Sequence, residues 1–224
     1  VGLPEIDTEL IITEVLKRLA IKLSPEQLDV LQDIFSHRVA IITGGPGTGK
    51  TTLIRSITAI LSFLDQQTLL AAPTGRAARR LSEVTRRKAS TIHNRLGFSF
   101  VEGDFEKNQD DPLETDMVII DEASMVDTSL MFHLLKAIPM STGLILVGDV
   151  FQLPSVGPGN VLSDLIQSRK IQPYELKTIY RQAQESPIVM HAHKVRMGKP
   201  LELGTHERSE FPFMRQYNTE KAAD

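Results

Sequence analysis

The run Gly44-Gly45-Pro46-Gly47-Thr48-Gly49-Lys50-Thr51 constrains this chain more than any other feature. It follows an apolar stretch, Val39 to Ile42, and precedes a helical one, Leu53 to Phe63, so it must join a strand to a helix. Glycines at these intervals let successive backbone N–H groups converge on phosphate oxygens, and the following helix points the positive end of its dipole at the same place. Lys50 adds a cation that reaches β- and γ-phosphates, and Thr51 a hydroxyl suited to Mg²⁺. The spacing is not that of a dinucleotide fingerprint, because Gly45-x-Gly47-x-Gly49 does not fit G-x-G-x-x-G.

The rest of the apolar pattern agrees with that strand and helix. Further short runs stand at Thr68 to Ala72, Met117 to Ile120 and Leu144 to Val147, each nearly continuous and separated by helical stretches. Such runs predict strands buried on both faces, hence an α/β domain around a mostly parallel sheet. The third run ends in Asp121-Glu122-Ala123-Ser124, which places two carboxylates at the C-terminal end of a buried strand, where α/β sheets carry their ligands. Asp121 there suits Mg²⁺ binding, and Glu122 suits activation of a water, with helix capping as the bland alternative. The fourth run releases Gly148-Asp149-Val150-Phe151-Gln152-Leu153-Pro154, a polar Gln152 between apolar neighbours, either aimed at a ligand or solvated in a turn.

The formal net charge of −3 argues at first against binding nucleic acid through a bulk positive field. The sum conceals a division. Residues 76–95 carry Arg76, Arg79, Arg80, Arg86, Arg87, Lys88 and Arg95 against Glu83 alone; residues 101–116 carry Glu102, Asp104, Glu106, Asp110, Asp111, Glu114 and Asp116 against Lys107 alone. Cysteine is absent, which excludes a disulfide framework and a thiolate metal site and fits a reducing, cytoplasmic setting. No apolar run approaches the roughly 18 residues of a membrane span.

Local punctuation adds detail. Residues 7–20 place Ile11, Ile12, Val15, Leu16 and Leu19 at helical spacing. Ser24-Pro25-Glu26-Gln27 opens a second helix with an N-cap, a first-turn proline and a capping-box glutamine. Thr74 reads as an N-cap ahead of Arg76-Ala77-Ala78, and Arg79, Arg80, Arg86 and Arg87 as a solvated helix face. Residues 98–108 alternate around a Gly-Asp turn and predict a small hairpin or a loop insertion. His191 and His193, two apart on a helix, face different ways and make a poor metal site.

Together these segments resemble the first RecA-like motor domain of superfamily 1 DNA helicases, in the RecD-like branch that includes the alpha subunit of exonuclease V. The likeness runs from about Leu23 to Met197 and rests on separate segments in the family's order: Leu23 to Gln27, Gly44 to Thr51, Ala72 to Ala78 with Thr91-Ile92-His93, Asp121 to Ser124, Gly148 to Gly159, and Tyr180-Arg181-Gln182. The resemblance implies a P-loop, RecA-like three-layer α/β/α fold with strand order 5-1-4-3-2. It implies ATP and Mg²⁺ as cofactors, with nucleotide contacts from Gln27 (at the adenine edge), Gly45, Pro46, Gly47, Thr48, Gly49, Lys50, Thr51 and Thr52, and metal contacts from Thr51 and Asp121. Lys50, Glu122, Gln152 and Arg181 would be catalytic, Gln152 and Arg181 through the γ-phosphate, while Thr74, Arg76, Thr91 and His93 would line the path of single-stranded DNA.

The resemblance also implies a domain plan: 1–22 as a helical connector from a preceding region, 23–200 as the motor domain with a small insertion at about 98–115, and 201–224 as a linker or the start of a second RecA-like domain. The expected partners are single-stranded DNA, that second domain of the same parent chain, and nuclease or helicase subunits, with translocation from 5′ to 3′ and no membrane. Two other readings of the residues stay open: a P-loop ATPase acting on protein partners, and a nucleic-acid-binding module without catalysis.

Overall fold

The computed structural model describes residues 8–179 and 186–200. Among these, 8–45 and 49–178 form one compact unit, and 46–48 group with 179 and 186–200 in another. In chain order the helices are α1 (Thr8–Leu19), α2 (Pro25–Asp33), α3 (Lys50–Phe63), α4 (Gly75–Thr85), α5 (Ile92–Arg95), α6 (Thr128–Ala137), α7 (Val161–Ser168) and α8 (Pro187–Arg196). The strands are β1 (Val39–Gly44), β2 (Thr68–Ala72), β3 (Ala89–Thr91), β4 (Phe98–Ser99), β5 (Asp104–Phe105), β6 (Met117–Ile120), β7 (Gly143–Gly148) and β8 (Gln172–Leu176).

In the first unit six strands make one sheet in the order β3-β2-β6-β7-β1-β8, every neighbouring pair parallel. The apolar runs dictate this. Along β1, Ile41 and Ile42 are fully buried on opposite faces: Ile42 joins a core with Ile12, Leu31 and Ile57, and Ile41 joins one with Val118, Ile120 and Leu130. Burial of each such side chain contributes about 1.5–3 kcal/mol, so a strand that is apolar on both faces stays central. Two edge strands escaped the apolar pattern. β3 is Ala-Ser-Thr, with no run to mark it, and β8 contains Pro173, which an edge strand tolerates because one side needs no donor.

Helix ends follow the local signals. Ser24 Oγ accepts from Gln27 N and Gln27 Oε1 accepts from Ser24 N, completing the capping box of α2. Thr74 and Asp127 cap α4 and α6 by accepting from Ala77 N and Leu130 N. The apolar side of α1, with Ile12 and Val15 buried, belongs to the same core as α2 and α3. The segment expected to turn back on itself does so: β4 and β5 pair antiparallel, Phe98 against Phe105 and Ser99 against Asp104. An aromatic file holds this hairpin to its neighbours, His93 edge-on to Phe98 at 5.5 Å and Phe105 against His133 at 4.6 Å. Among the described residues no helix is long and apolar enough to cross a membrane.

Candidate functional site

Parallel strands deliver their loops to one edge of the sheet, and the sequence-predicted residues of the first unit gather there. After β1, the backbone reaches α3 through Gly49, at φ 84°, a left-handed conformation that favours glycine. Lys50 Nζ donates to the carbonyls of Gly44 (2.7 Å) and Gly45 (3.1 Å), so its ammonium group lies at the start of the loop. Thr51 and Thr52 follow, half-buried in the first turn of α3. Gln27 is fully buried, and its Nε2 donates to Gly49 O at 3.2 Å. Pro46, Gly47 and Thr48 belong to the second unit, where the ring nitrogen Nε2 of His193 lies 2.8 Å from Pro46 O.

At the end of β6, Asp121 N extends the sheet ladder by donating to Ala71 O (3.0 Å), while Asp121 Oδ1 accepts from Glu122 N (2.9 Å). Burial, and secondly the neighbouring charge of Glu122, push the Asp121 carboxyl up to about 6; Lys50 and Arg80 pull the other way. Glu122 itself has φ 53° and ψ 40°. A non-glycine residue held there carries about 1–3 kcal/mol of backbone strain, a feature that concentrates at functional sites. The next turn, Ala123–Met125, packs against β7 so closely that a Cβ on Gly148 would lie 2.7 Å from Leu162 Cδ2 and 3.1 Å from Ser124 N.

The loop after β7 turns on Asp149. This carboxylate is 1% exposed; Oδ1 accepts from Phe151 N (3.1 Å) and Oδ2 from Gln152 Nε2 (3.4 Å). Gln152 then lines a cavity of about 700 Å³ together with Glu122, Thr74, Arg76 and Arg80. Two of the four residues expected on a strand path are therefore in this cavity. Thr91 is not: it caps α5, accepting from Asn94 N, and lines a separate hollow of about 540 Å³ with Arg79 and Ser90. His93 packs on the hairpin aromatics instead. Tyr180, Arg181 and Gln182 lie outside the described residues.

Arg79, Arg80, Arg86 and Arg87 are solvated as expected, but they do not share one helix face, since Arg86 and Arg87 lie beyond the end of α4. All four are exposed, but α4 turns Arg76 and Arg80, four apart, into the cavity holding Glu122, and turns Arg79, Ser82 and Glu83 into the other hollow. The i, i+4 spacing from Arg76 was the signal that could have singled out Arg80. Asp149 was also passed over, and only its place at the head of the turn hinted at its role in holding Gln152. Glu26 carried no signal; its carboxylate accepts from Lys177 N (3.0 Å and 3.2 Å, one to each oxygen) and from Thr178 N (3.2 Å).

The donor set fits a magnesium ion. A hydroxyl and a carboxylate are hard oxygen ligands, and Mg²⁺ is ordinarily held by one or two protein groups plus phosphate oxygens and water. A nearby cation would also favour ionisation of Asp121, offsetting the burial that opposes it.

Comparison with known proteins now places this geometry. A family model described as an AAA domain matches residues 27–158. The ATP-dependent RecD2 DNA helicase of Deinococcus radiodurans is 43% identical over 177 residues, 79% of this chain and 24% of its own length. The RecBCD enzyme subunit RecD of Haemophilus influenzae is 39% identical over 159 residues, 60% of this chain and 25% of its own. The chain thus spans about a quarter of the length of these curated relatives. Among solved structures, the Pif1 helicase of Candida albicans aligns with TM-score 0.59 at 26% identity over 82% of this chain and 49% of that one. A Pif1 structure described as unwinding forked double-stranded DNA aligns with TM-score 0.56 at 24% identity over 79% and 48%, a likeness of fold alone. With its parallel sheet, phosphate loop and acid pair in that setting, the chain belongs to the AAA domain family and is similar over most of its length to part of the RecD helicases.

Proposed function

We propose that this chain is the nucleotide-binding lobe of an ATP-driven motor that moves on single-stranded DNA. The observation that carries the reading is the shared cavity: Glu122 and Gln152, beside the expected γ-phosphate, line the same space as Thr74, Arg76 and Arg80, whose charge suits a phosphodiester backbone. Hydrolysis and strand contact would then act on one set of side chains, which is what coupling requires.

In this mechanism Lys50 leaves the carbonyls of Gly44 and Gly45 for phosphate oxygens, and backbone N–H groups of residues 45–51 hold the polyphosphate. Thr51 and Asp121 would hold Mg²⁺, which neutralises charge that develops on the phosphate oxygens. Glu122 orients the attacking water and accepts its proton at a carboxylate oxygen. Gln152, held by Asp149, senses the transferring group, and Arg181 supplies a second positive charge. The domain plan given above, with a motor lobe over 23–200, a flanking connector and a second lobe, belongs to the same proposal, as do partner subunits with nuclease activity.

The test is ATP hydrolysis by the whole protein that carries this domain, with and without single-stranded oligonucleotide. Glu122→Gln is expected to lower strand-stimulated turnover by at least about 100-fold while MgATP still binds. Arg76→Ala is expected to flatten the salt dependence of oligonucleotide binding by about one counterion. Turnover indifferent to the strand would end the proposal.

A further inference from the structure

His193 makes a poor metal ligand, and the structure gives its ring another use. The residue is 7% exposed on α8, and its Nε2 lies 2.8 Å from Pro46 O, in the middle of the phosphate loop. A carbonyl oxygen only accepts, so Nε2 carries a proton and donates it. The backbone behind the ring is fixed by the helix, since His193 O accepts from Met197 N at 3.1 Å. Residues 46–48 stand in sequence between β1 and α3, yet they group with α8. That stretch of the loop is poorly held by its own residues: Pro46 has no N–H, and Gly47, at φ 76°, has no side chain.

We propose, on the nucleotide reading above, that His193 is a positioning residue for the polyphosphate. The carbonyl and the N–H of one trans peptide point in opposite directions, so a donor that holds the Pro46 carbonyl also sets the direction of the Gly47 N–H. Gly47 is among the residues whose N–H groups cradle the phosphates in that reading, and its donor is turned before the ligand arrives, which lowers the cost of ordering the loop on binding. α8 thereby contributes to phosphate affinity through a residue 147 positions along the chain from Pro46. Acting through this peptide, His193 reads neither base nor sugar, and ATP and a base-free polyphosphate feel it alike.

The test compares two replacements in this chain by calorimetric titration with ATP and with inorganic tripolyphosphate, each with Mg²⁺. His193→Phe fills the space of the ring without a donor; His193→Gln carries an amide nitrogen as many bonds from the backbone as Nε2. His193→Phe is expected to weaken both ligands about fivefold, the net worth of one hydrogen bond, and His193→Gln to leave both within about twofold of the parent chain. Equal losses in the two variants would assign the effect to packing of the ring, and unchanged affinity in His193→Phe would make the contact purely structural; either result overturns the role of His193 while nucleotide binding stands. A loss for ATP with tripolyphosphate unaffected overturns it as well, because the effect would then lie at the base or sugar. Should His193→Phe fail to fold, His193→Leu gives the same comparison. A parent chain that binds neither ligand refutes the nucleotide reading itself, and the role of His193 with it.

Discussion

Two loops leave the same edge of the sheet from neighbouring strands, and they are built on opposite principles. The loop after β1 is held by polar groups close to it: Lys50 on the carbonyls of Gly44 and Gly45, and Gln27 on Gly49. The loop after β7 is fastened at its two ends and carries exposed apolar side chains between them. Asp149 secures its start, while Gly157 and Gly159 lie so tightly on Asp127 and Thr128 that neither has room for a Cβ. Between those ends Phe151, Leu153 and Val156 stand 63%, 75% and 102% exposed. Backbone chemistry and glycine spacing suffice to specify the first loop. The second depends on what its ends rest upon.

That contrast can be broken, the largest expected effect first. Lys50→Ala should abolish the thermal stabilisation of this chain by MgATP, and in the whole protein lower hydrolysis by at least about 100-fold; a variant that MgATP still stabilises would move the phosphate site elsewhere. Gly157→Ala tests the fastening of the second loop. Its Cβ would press on the carboxylate that caps α6, so unfolding by urea should show a loss of about 1–2 kcal/mol. An unchanged midpoint would mean that the loop is not held from this end.

Asp121, at the end of β6, gives an effect of the opposite sign. Its carboxyl is raised from the usual range to about 6 by burial and then by Glu122, so the folded protein disfavours the ionised form. Well below pH 3.8 the group is protonated whether folded or unfolded, and no penalty exists; the penalty grows as pH rises from the unfolded value to about 6 and is constant above it. Asp121→Asn keeps an acceptor for Glu122 N and removes the charge. Without nucleotide or metal it should therefore be more stable than the parent chain by about 3 kcal/mol at pH 7.5, with the gain gone at about pH 3. A pH-independent gain would point to packing instead. The smallest effect belongs to Leu153→Ser: a side chain so exposed should change stability by less than about 0.5 kcal/mol, and a larger loss would show that Leu153 is packed in solution.

The sequence was most legible where a local rule met a strong constraint. The strand–loop–helix at Gly44 to Lys50, the capping box at Ser24 and Gln27, and the hairpin at residues 98–105 all depend on contacts a few residues apart, and all stand as their punctuation implies. β3 and β8 were illegible to hydrophobic pattern, because an edge strand needs only a neighbour that offers hydrogen bonds. The strand path was legible only in part: Thr74 and Arg76 share the cavity of Glu122, while Thr91 and His93 are engaged in a helix cap and an aromatic stack.

The sequence alone determined the central strands, the phosphate loop and the acid pair, because burial on both faces and glycine spacing act through the chain's own covalent order. Only the tertiary structure decided which arginines of α4 share the cavity of Glu122. A 3.6-residue period puts Arg76 with Arg80 and Arg79 with Glu83, but which pair turns toward the acid is settled by how α4 lies on β2 and β3. It also decided the direction of the Gln27 amide, since a side chain with two polar ends takes the partners that burial leaves beside it, and here those are Ser24 and Gly49.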